Sequence, residues 1–171
     1  MAHVTPSTTP AFAGINHVAL TVRDLDVSER FYTEVLGFVV VLDVGHTRVC
    51  LDKGTGFTIA LLSPPEASGE AFSELRTGLD HLGLAAGSRD ELVAWQRRLE
   101  AAGVPHSPIQ DMPLGHHLNF RDPDGIALEL QAPNGTYAAA LAELASRPFS
   151  DEEVRAAAVE LLGPEMVAQP R

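Results

Sequence analysis

The chain has 171 residues with a formal net charge of −11, and 45% of its residues are hydrophobic and 20% charged. This length suits one domain or two small modules that share a core, and the negative charge predicts neither nucleic acid nor an anionic membrane surface as a partner. The single cysteine excludes an internal disulfide and, with no apolar run near the roughly 18 residues of a membrane helix, predicts a cytoplasmic protein.

The first 22 residues are expected to form a short flexible N-terminal segment followed by a β-strand. Residues 1–13 lack a basic start followed by an apolar core, which predicts a short flexible lead rather than a secretory signal. The segment INHVALTV (15–22) alternates as a half-buried strand does, with Val18 and Leu20 on one face and His17 on the other. A histidine in such a segment is usually a satisfied core residue, so His17 needs a second observation before it suggests function.

A helix and three strands complete the first module. Asp26 and Glu29 have the spacing of a capping box, and the helix is expected to stop at Gly37. Strand-like segments broken by GH and KGTG turns follow at 38–44, 47–52 and 57–63. The first module therefore has the order β-α-β-β-β over residues 14–65.

The chain then repeats this pattern after a linker at residues 66–77, which lies within the Pro-, Ser-, Gly- and Glu-rich segment SPPEASGEAFSELRTG (63–78). The segment GLDHLGLA (78–85) aligns with the start of the first strand, and His81 takes the position of His17. This recurrence is the second observation that makes His17 a candidate functional residue.

The second module, residues 78–133, continues like the first. Ser88 and Glu91 have capping-box spacing, and the helix is expected to stop at Gly103. Strand-like segments follow at 104–110, where the pattern is weak, and at 116–120 and 126–132 around the turn RDPDG. The sequence thus predicts an α+β fold of two tandem βαβββ modules.

A helical tail at residues 134–171 has no counterpart in the first module. TYAAALAELASR is helix-like, and Ser150 with Glu153 caps a second helix that ends near Gly163. We expect the tail to pack against a sheet edge or a partner subunit. Because modules of about 55 residues bury little alone, we also expect a homodimer, with the modules paired within one chain or exchanged between two.

Three ionisable residues are expected on the strand faces opposite the helices: His17, His81 and Glu129. Their neighbours on those faces are small, for example Ala19 and Gly83. Two imidazoles and one carboxylate suit a divalent metal and leave coordination positions for a substrate. The alternative is that these residues occupy a solvated sheet face.

The motifs INHVALTV, DHLGL and FRDPDGIALEL resemble those of the vicinal oxygen chelate (VOC) superfamily, which includes glyoxalases, bleomycin resistance proteins and extradiol dioxygenases. The resemblance covers residues 14–133. It implies a single domain in which the modules form a curved mixed sheet around a metal that chelates vicinal oxygens of a small substrate. It also implies His17, His81 and Glu129 as the metal ligands.

Departures from the family pattern bear on the chemistry. Glyoxalase I and the epimerases of the family use a fourth ligand on the last strand of the first module, where this chain has Ala60 or Leu61. The site therefore resembles the three-ligand members. Those commonly carry a Tyr ten residues before the ligand Glu, where this chain has Asn119. His117, expected on the same side as Asn119, is either a proton shuttle or part of a polar strand start.

These features predict a divalent-metal enzyme with dioxygenase-type chemistry, using Fe(II) or Mn(II), with Zn(II) as the further candidate. Two alternatives stay open. One is a glyoxalase-like lyase, isomerase or thiol transferase without a redox step, and the other is a binding protein for a drug or metabolite that performs no reaction.

Two other residues have competing interpretations. Cys50 lies in a strand-like segment without a basic neighbour, which favours a buried hydrophobe over a nucleophile. Arg121 precedes the turn DPDG, where it either braces the hairpin or binds a substrate carboxylate, and bracing is the first interpretation.

Overall fold

The computed structural model describes residues 14–167, so the lead expected at residues 1–13 lies outside the described part of the chain. The chain divides into two compact units between Glu70 and Ala71. Each unit contains a four-stranded mixed sheet in the order βαβββ, which confirms the α+β class and the tandem modules. That residues 14–133 form one domain stays a prediction. Every helix within the described residues is too short or too polar to cross a bilayer.

The elements of the first unit are β1 His17–Thr21, α1 Leu25–Arg30, β2 Val39–Asp43, β3 Thr47–Leu51 and β4 Thr58–Leu62. The strands form one sheet in the order β1-β4-β3-β2, in which β1 and β4 are parallel and the other neighbours are antiparallel. Helix α1 continues into a π-helical segment at Phe31–Val35.

Strand alternation in the first unit follows the expected pattern. Leu20 and Val22 of the first strand segment are buried, as are Ile59 and Leu61 of β4, because this side of the sheet meets the helical segment. His17 lies on the opposite, exposed side. Burial of this face stabilises the unit, while His17 stays exposed to solvent.

The first helix begins two residues earlier than the capping-box spacing predicts. Asp24 is the N-cap, and its Oδ1 accepts hydrogen bonds from the backbone N–H groups of Asp26 and Val27. The prediction was wrong because the carboxylates of Asp26 and Glu29 are engaged elsewhere. Both form ion pairs with Arg48 on β3, at 2.7 and 2.8 Å.

The elements of the second unit are β5 Leu82–Ala85, α2 Arg89–Ala101, β6 Gln110–Met112, β7 Gly115–Arg121 and β8 Ala127–Pro133. The topology repeats that of the first unit, with β5 parallel to β8 and the strand order β5-β8-β7-β6. Ser88 caps α2 as expected, since its hydroxyl accepts a hydrogen bond from Glu91 N. The predicted capping box is not closed, because the Glu91 carboxylate accepts from Gly87 N instead.

The strand expected at residues 104–110 is wrong in its placement. Regular pairing starts only at Gln110, and the earlier segment contributes a single isolated bridge between His106 and Phe120. Pro105 and Pro108 explain the difference, because a proline has no N–H to donate to a strand ladder.

A tight hairpin joins β7 to β8. Asp122 Oδ1 accepts hydrogen bonds from the N–H groups of Asp124 and Ile126, and Gly125 has a φ of +83° that suits glycine. Arg121 donates to Gly125 O and pairs with Glu74 of the linker at 2.6 Å. The bracing interpretation of Arg121 is therefore confirmed.

The tail is helical, as predicted, with α3 at Gly135–Ser146 and α4 at Asp151–Leu162. The predicted capping box of Ser150 and Glu153 is present, and α4 ends at Gly163. Neither helix contains a buried residue. The apolar side chains exposed along the two helices are Leu141, Leu144, Val154 and Val159.

Candidate functional site

The candidate site of the second unit lies on the sheet face opposite its buried side. Leu128 and Leu130 of β8 are buried. Glu129 between them pairs in register with Gly83 of β5 on one side and Asn119 of β7 on the other. Side chains of paired residues share a face, so Glu129 and Asn119 point to the same side.

The carboxylate of Glu129 has a separate neighbour for each oxygen. His117 Nδ1 donates a hydrogen bond to Oε2 at 2.8 Å, and His81 Nε2 lies 4.0 Å from Oε1. The side chains of Glu129 and His117 are 15% and 20% exposed. The sequence placed His117 on this side, and the structure adds that it contacts a candidate ligand directly.

The second ring nitrogen of His81, Nδ1, contacts the side chain of the preceding residue, Asp80. This Nδ1 lies 2.6 Å from Asp80 Oδ1. An ionised carboxylate only accepts hydrogen bonds, so Nδ1 of His81 carries the proton in this contact. The lone pair of the neutral ring is therefore on Nε2, which is the atom that faces Glu129. Sequence reasoning missed Asp80, although a side-chain oxygen directly before a repeated histidine is a readable signal.

The first unit contains the same histidine contact. His17 Nδ1 lies 2.8 Å from Asn16 Oδ1, and the His17 side chain lies on the exposed face of β1. Asn16 and Asp80 thus occupy equivalent positions of the repeat. The structure therefore gives both candidate imidazoles the same local arrangement within their own units.

The register identifies the residue of the first unit that corresponds to Glu129. Ala60 pairs with Ala19, just as Glu129 pairs with Gly83, two residues after the histidine in each case. Leu61 is fully buried on the opposite side. Of the two residues considered from the sequence, Ala60 is the equivalent, and it has no donor for a metal.

Other ionisable residues of the described chain serve different contacts. His116 Nδ1 and Arg89 both donate a hydrogen bond to Asp111 Oδ1. These two hydrogen bonds hold the pKa of Asp111 below its usual range, and the one from Arg89 has the larger effect. His116 therefore does not share the Glu129 contact. Cys50 is fully buried, which confirms the predicted buried hydrophobe, and this burial raises the pKa of the Cys50 thiol to about 11.

Within residues 14–167, no three His, Cys, Asp or Glu side chains are arranged as a complete metal-binding group. In the second unit, however, His81 and Glu129 bring two donors to one face. Two ligand atoms that each lie about 2.1 Å from a metal are roughly 3–4 Å apart, and the Nε2–Oε1 separation of 4.0 Å is at the upper end of that interval. An imidazole and a carboxylate suit Fe(II), Mn(II) and Zn(II), so the donor types of these two residues fit a divalent ion.

The family model described as Glyoxalase/Bleomycin resistance protein/Dioxygenase superfamily matches residues 14–130. The uncharacterized protein YwkD of Bacillus subtilis (strain 168) is 32% identical over 123 residues, which cover 68% of this chain and 94% of YwkD.

Solved structures that share the fold include the following two. A glyoxylase/bleomycin resistance protein/dioxygenase domain from Frankia sp. EAN1pec has 38% identity and a TM-score of 0.67, covering 72% of this chain and all of the Frankia chain. Lactoylglutathione lyase from Agrobacterium tumefaciens has 26% identity and a TM-score of 0.60, covering 72% of this chain and 96% of the lyase. The chain belongs to the Glyoxalase/Bleomycin resistance protein/Dioxygenase superfamily, the vicinal oxygen chelate family that its motifs resemble.

Proposed function

We propose that the protein is a divalent-metal-dependent enzyme that binds a small substrate through two neighbouring oxygen atoms. Its metal ligands are His17, His81 and Glu129. The observation that carries the proposal is the arrangement at Glu129, where one carboxylate oxygen faces His81 Nε2 and the other accepts a hydrogen bond from His117. A carboxylate held in this way by its second oxygen is oriented for one-oxygen ligation.

The case for His17 as the third ligand rests on the internal repeat. His17 lies two residues before Ala19, which pairs with Ala60, just as His81 lies two residues before Gly83, which pairs with Glu129. The Nδ1 atom of His17 contacts Asn16 as that of His81 contacts Asp80. The small side chain of Ala19 leaves space beside it.

The first choice of chemistry is a dioxygenase-type reaction. His17, His81 and Glu129 would hold an Fe(II) ion, which would supply Lewis-acid polarisation of the substrate oxygens and redox chemistry towards O₂. His117 uses Nδ1 to hold Glu129, so its Nε2 is the atom that takes or returns a proton. Asn119, paired with Glu129 in register, positions substrate through its amide and cannot exchange a proton as a phenol would.

The second candidate is a lyase, isomerase or thiol transferase without a redox step. The likeness to lactoylglutathione lyase favours it, because the identity of 26% extends over 72% of this chain. Asn119 also favours it, since the side chain supplies no ionisable group. In this case Zn(II) or Mn(II) would support turnover, because the metal acts only as a Lewis acid.

An oxygen electrode separates the two candidates. Iron-loaded protein is given a panel of catechols, and the same protein is assayed under argon with thiol hemiacetals. Oxygen uptake that requires Fe(II) and stops when Zn(II) replaces it supports the dioxygenase. Turnover of thiol adducts under argon with several metals supports the second candidate. Tight binding of an aromatic drug with no turnover in either assay would instead indicate a binding protein.

Metal content tests the site itself. Purified protein should hold about one divalent ion per chain, and His17→Ala, His81→Ala and Glu129→Ala should each remove it. His116→Ala is the matched control, since His116 is directed to Asp111. Full retention of metal in all three ligand variants would refute the assignment.

We also propose that the protein is a homodimer in the cytoplasm. Helices of 12 residues are marginal in isolation, and α3 and α4 expose Leu141, Leu144, Val154 and Val159 without burying any residue. A second copy of the chain would cover these side chains. Light scattering across a concentration series measures the mass, and a monomer at every concentration would contradict the proposal.

A further inference from the structure

We infer that Asn16 and Asp80 are positioning residues that hold His17 and His81 in the tautomer with the proton on Nδ1, and that Asp80 makes His81 the stronger metal ligand of the two. The inference rests on the proposed function, because it concerns the same ligands. It goes further by assigning roles to two residues that are not themselves proposed metal ligands and by making the two histidines unequal.

The geometry is the same in both units. His17 Nδ1 lies 2.8 Å from Asn16 Oδ1, and His81 Nδ1 lies 2.6 Å from Asp80 Oδ1. In each case the acceptor belongs to the residue directly before the histidine. Both contacts are exposed, and other histidines of the described chain also have an oxygen at Nδ1, so the inference is carried by the recurrence at equivalent positions of the repeat and not by the contact alone.

The tautomer matters because one imidazole nitrogen must present a lone pair to the metal. Neutral histidine carries a proton on one ring nitrogen, and the hydrogen bond at that nitrogen decides which one it is. An acceptor at Nδ1 keeps the proton there and leaves Nε2 for ligation. In the second unit Nε2 is the nitrogen that faces Glu129.

The two acceptors differ in charge. Asp80 presents a carboxylate and Asn16 a neutral amide oxygen, and a charged acceptor makes the stronger hydrogen bond. A carboxylate behind a ligating imidazole also raises its basicity as a ligand. The same sheet position in the two units thus supplies ligands of different strength.

A matched control lies elsewhere in the second unit. Asp111 Oδ1 lies 2.6 Å from His116 Nδ1, the same distance as in the Asp80–His81 pair. His116 is not a proposed ligand. Asp111→Ala should therefore change the tautomer of His116 without changing metal affinity, which separates the tautomer effect from the metal effect.

The first measurement uses metal-free protein and needs no activity. Long-range ¹H–¹⁵N correlation spectra at about pH 8, above the usual histidine pKa of about 6.5, report which ring nitrogen is protonated. His17 and His81 should both carry the proton on Nδ1. Asp80→Ala should shift His81 alone towards the Nε2-protonated form, Asn16→Ala should shift His17 alone, and Asp80→Asn should retain the wild-type form because its amide oxygen still accepts.

The second measurement is Zn(II) affinity by competition with a chromophoric chelator. Asp80→Ala should weaken binding about 10- to 100-fold, the range for lost outer partners of a ligating histidine. Asp80→Asn should recover part of that loss, and Asn16→Ala should weaken binding less than Asp80→Ala. Asp111→Ala should match the wild type.

The outcomes distinguish this inference from the proposed function. Nε2-protonated His17 and His81 in the wild type, or undiminished Zn(II) affinity in both alanine variants, would overturn the inference and leave the metal site intact. The expected tautomers in a wild type that binds no Zn(II) would overturn the proposed function and the ligand-strength part, while the assignment of Asn16 and Asp80 as tautomer-fixing residues would stand.

Discussion

The two units share a backbone plan but differ in what their exposed faces carry. Strand order, the parallel pair and the histidine with its preceding acceptor are common to both. At equivalent register positions, the second unit has a polar set where the first has a mostly apolar one. The equivalent positions are Thr47 and His117, Val49 and Asn119, Ala60 and Glu129, and Leu62 and Gln131.

The comparison separates folding from chemistry. Leu61 and Leu130 occupy matching positions on the hidden faces, and both are buried, because each sheet must cover its apolar side. The other face carries no such constraint, so its side chains are free to differ between units. Under the proposed function, the second unit supplies two ligands and the proton-transferring group, and the first supplies one ligand.

The largest expected effect is at His117. His117→Ala should lower turnover by roughly 10²–10⁴ at saturating metal, the range for loss of a general acid or base. Because His117 holds Glu129, metal affinity should also fall, by about 10- to 100-fold. Thr47→Ala, the equivalent change in the first unit, should leave both within a few-fold of wild type. Equal effects of the two variants would break the asymmetry between the units.

The next effect concerns folding. Leu61→Ala should cost about 2–5 kcal/mol of unfolding free energy, since it creates a cavity at a fully buried position. Trp95, the single tryptophan, lies on α2 of the second unit and reports its unfolding by fluorescence. If residues 14–133 form one domain, as the sequence predicts, Leu61→Ala should shift the Trp95 transition in urea as much as Leu130→Ala does. A Trp95 transition that Leu61→Ala leaves unchanged would show independent units.

A third prediction makes the first unit resemble the second. Ala60→Glu places a carboxylate relative to His17 as Glu129 is placed relative to His81. If the proposed metal site includes His17, the added donor should tighten Zn(II) binding by about tenfold, or about 1.4 kcal/mol. The control is Leu62→Glu, which adds the same charge two residues along the same face. An equal gain from both would attribute the effect to charge alone.

The smallest expected effect is on stability, at the ion pair between Arg121 of the β7–β8 hairpin and Glu74. Arg121 lowers the pKa of Glu74 chiefly through its side-chain hydrogen bond, so this carboxylate stabilises the fold when ionised and loses that contribution as the pH falls through the lowered pKa. Glu74→Gln should therefore lower the urea midpoint at pH 7. Its midpoint should converge with that of the wild type on acidification below the usual Glu pKa of about 4.3. Glu66→Gln, at an exposed linker position, is the control, and a difference that persists in acid would contradict the ion-pair explanation.

Much of the fold could be predicted because its signals are local. The alternation around Leu20 and Leu130 gave the strand faces, and the glycine stops at Gly37 and Gly103 gave the helix ends. The missed details depend on distant residues. Asp24 replaced Asp26 as the first helix cap because Arg48, far along the chain, engages the carboxylate of Asp26.

The sequence by itself determined the tandem βαβββ plan, the repeated histidines and the side of the sheet on which Glu129 lies, because side-chain direction follows from strand period alone. Tertiary structure alone decided which side chains meet. The Glu129–His117 hydrogen bond and the equivalence of Ala60 with Glu129 depend on strand register, which is set by pairing between segments separated along the chain. The acceptors Asn16 and Asp80 were visible in the sequence, but only rotamers fixed in three dimensions assign them to Nδ1 of the histidines that follow them.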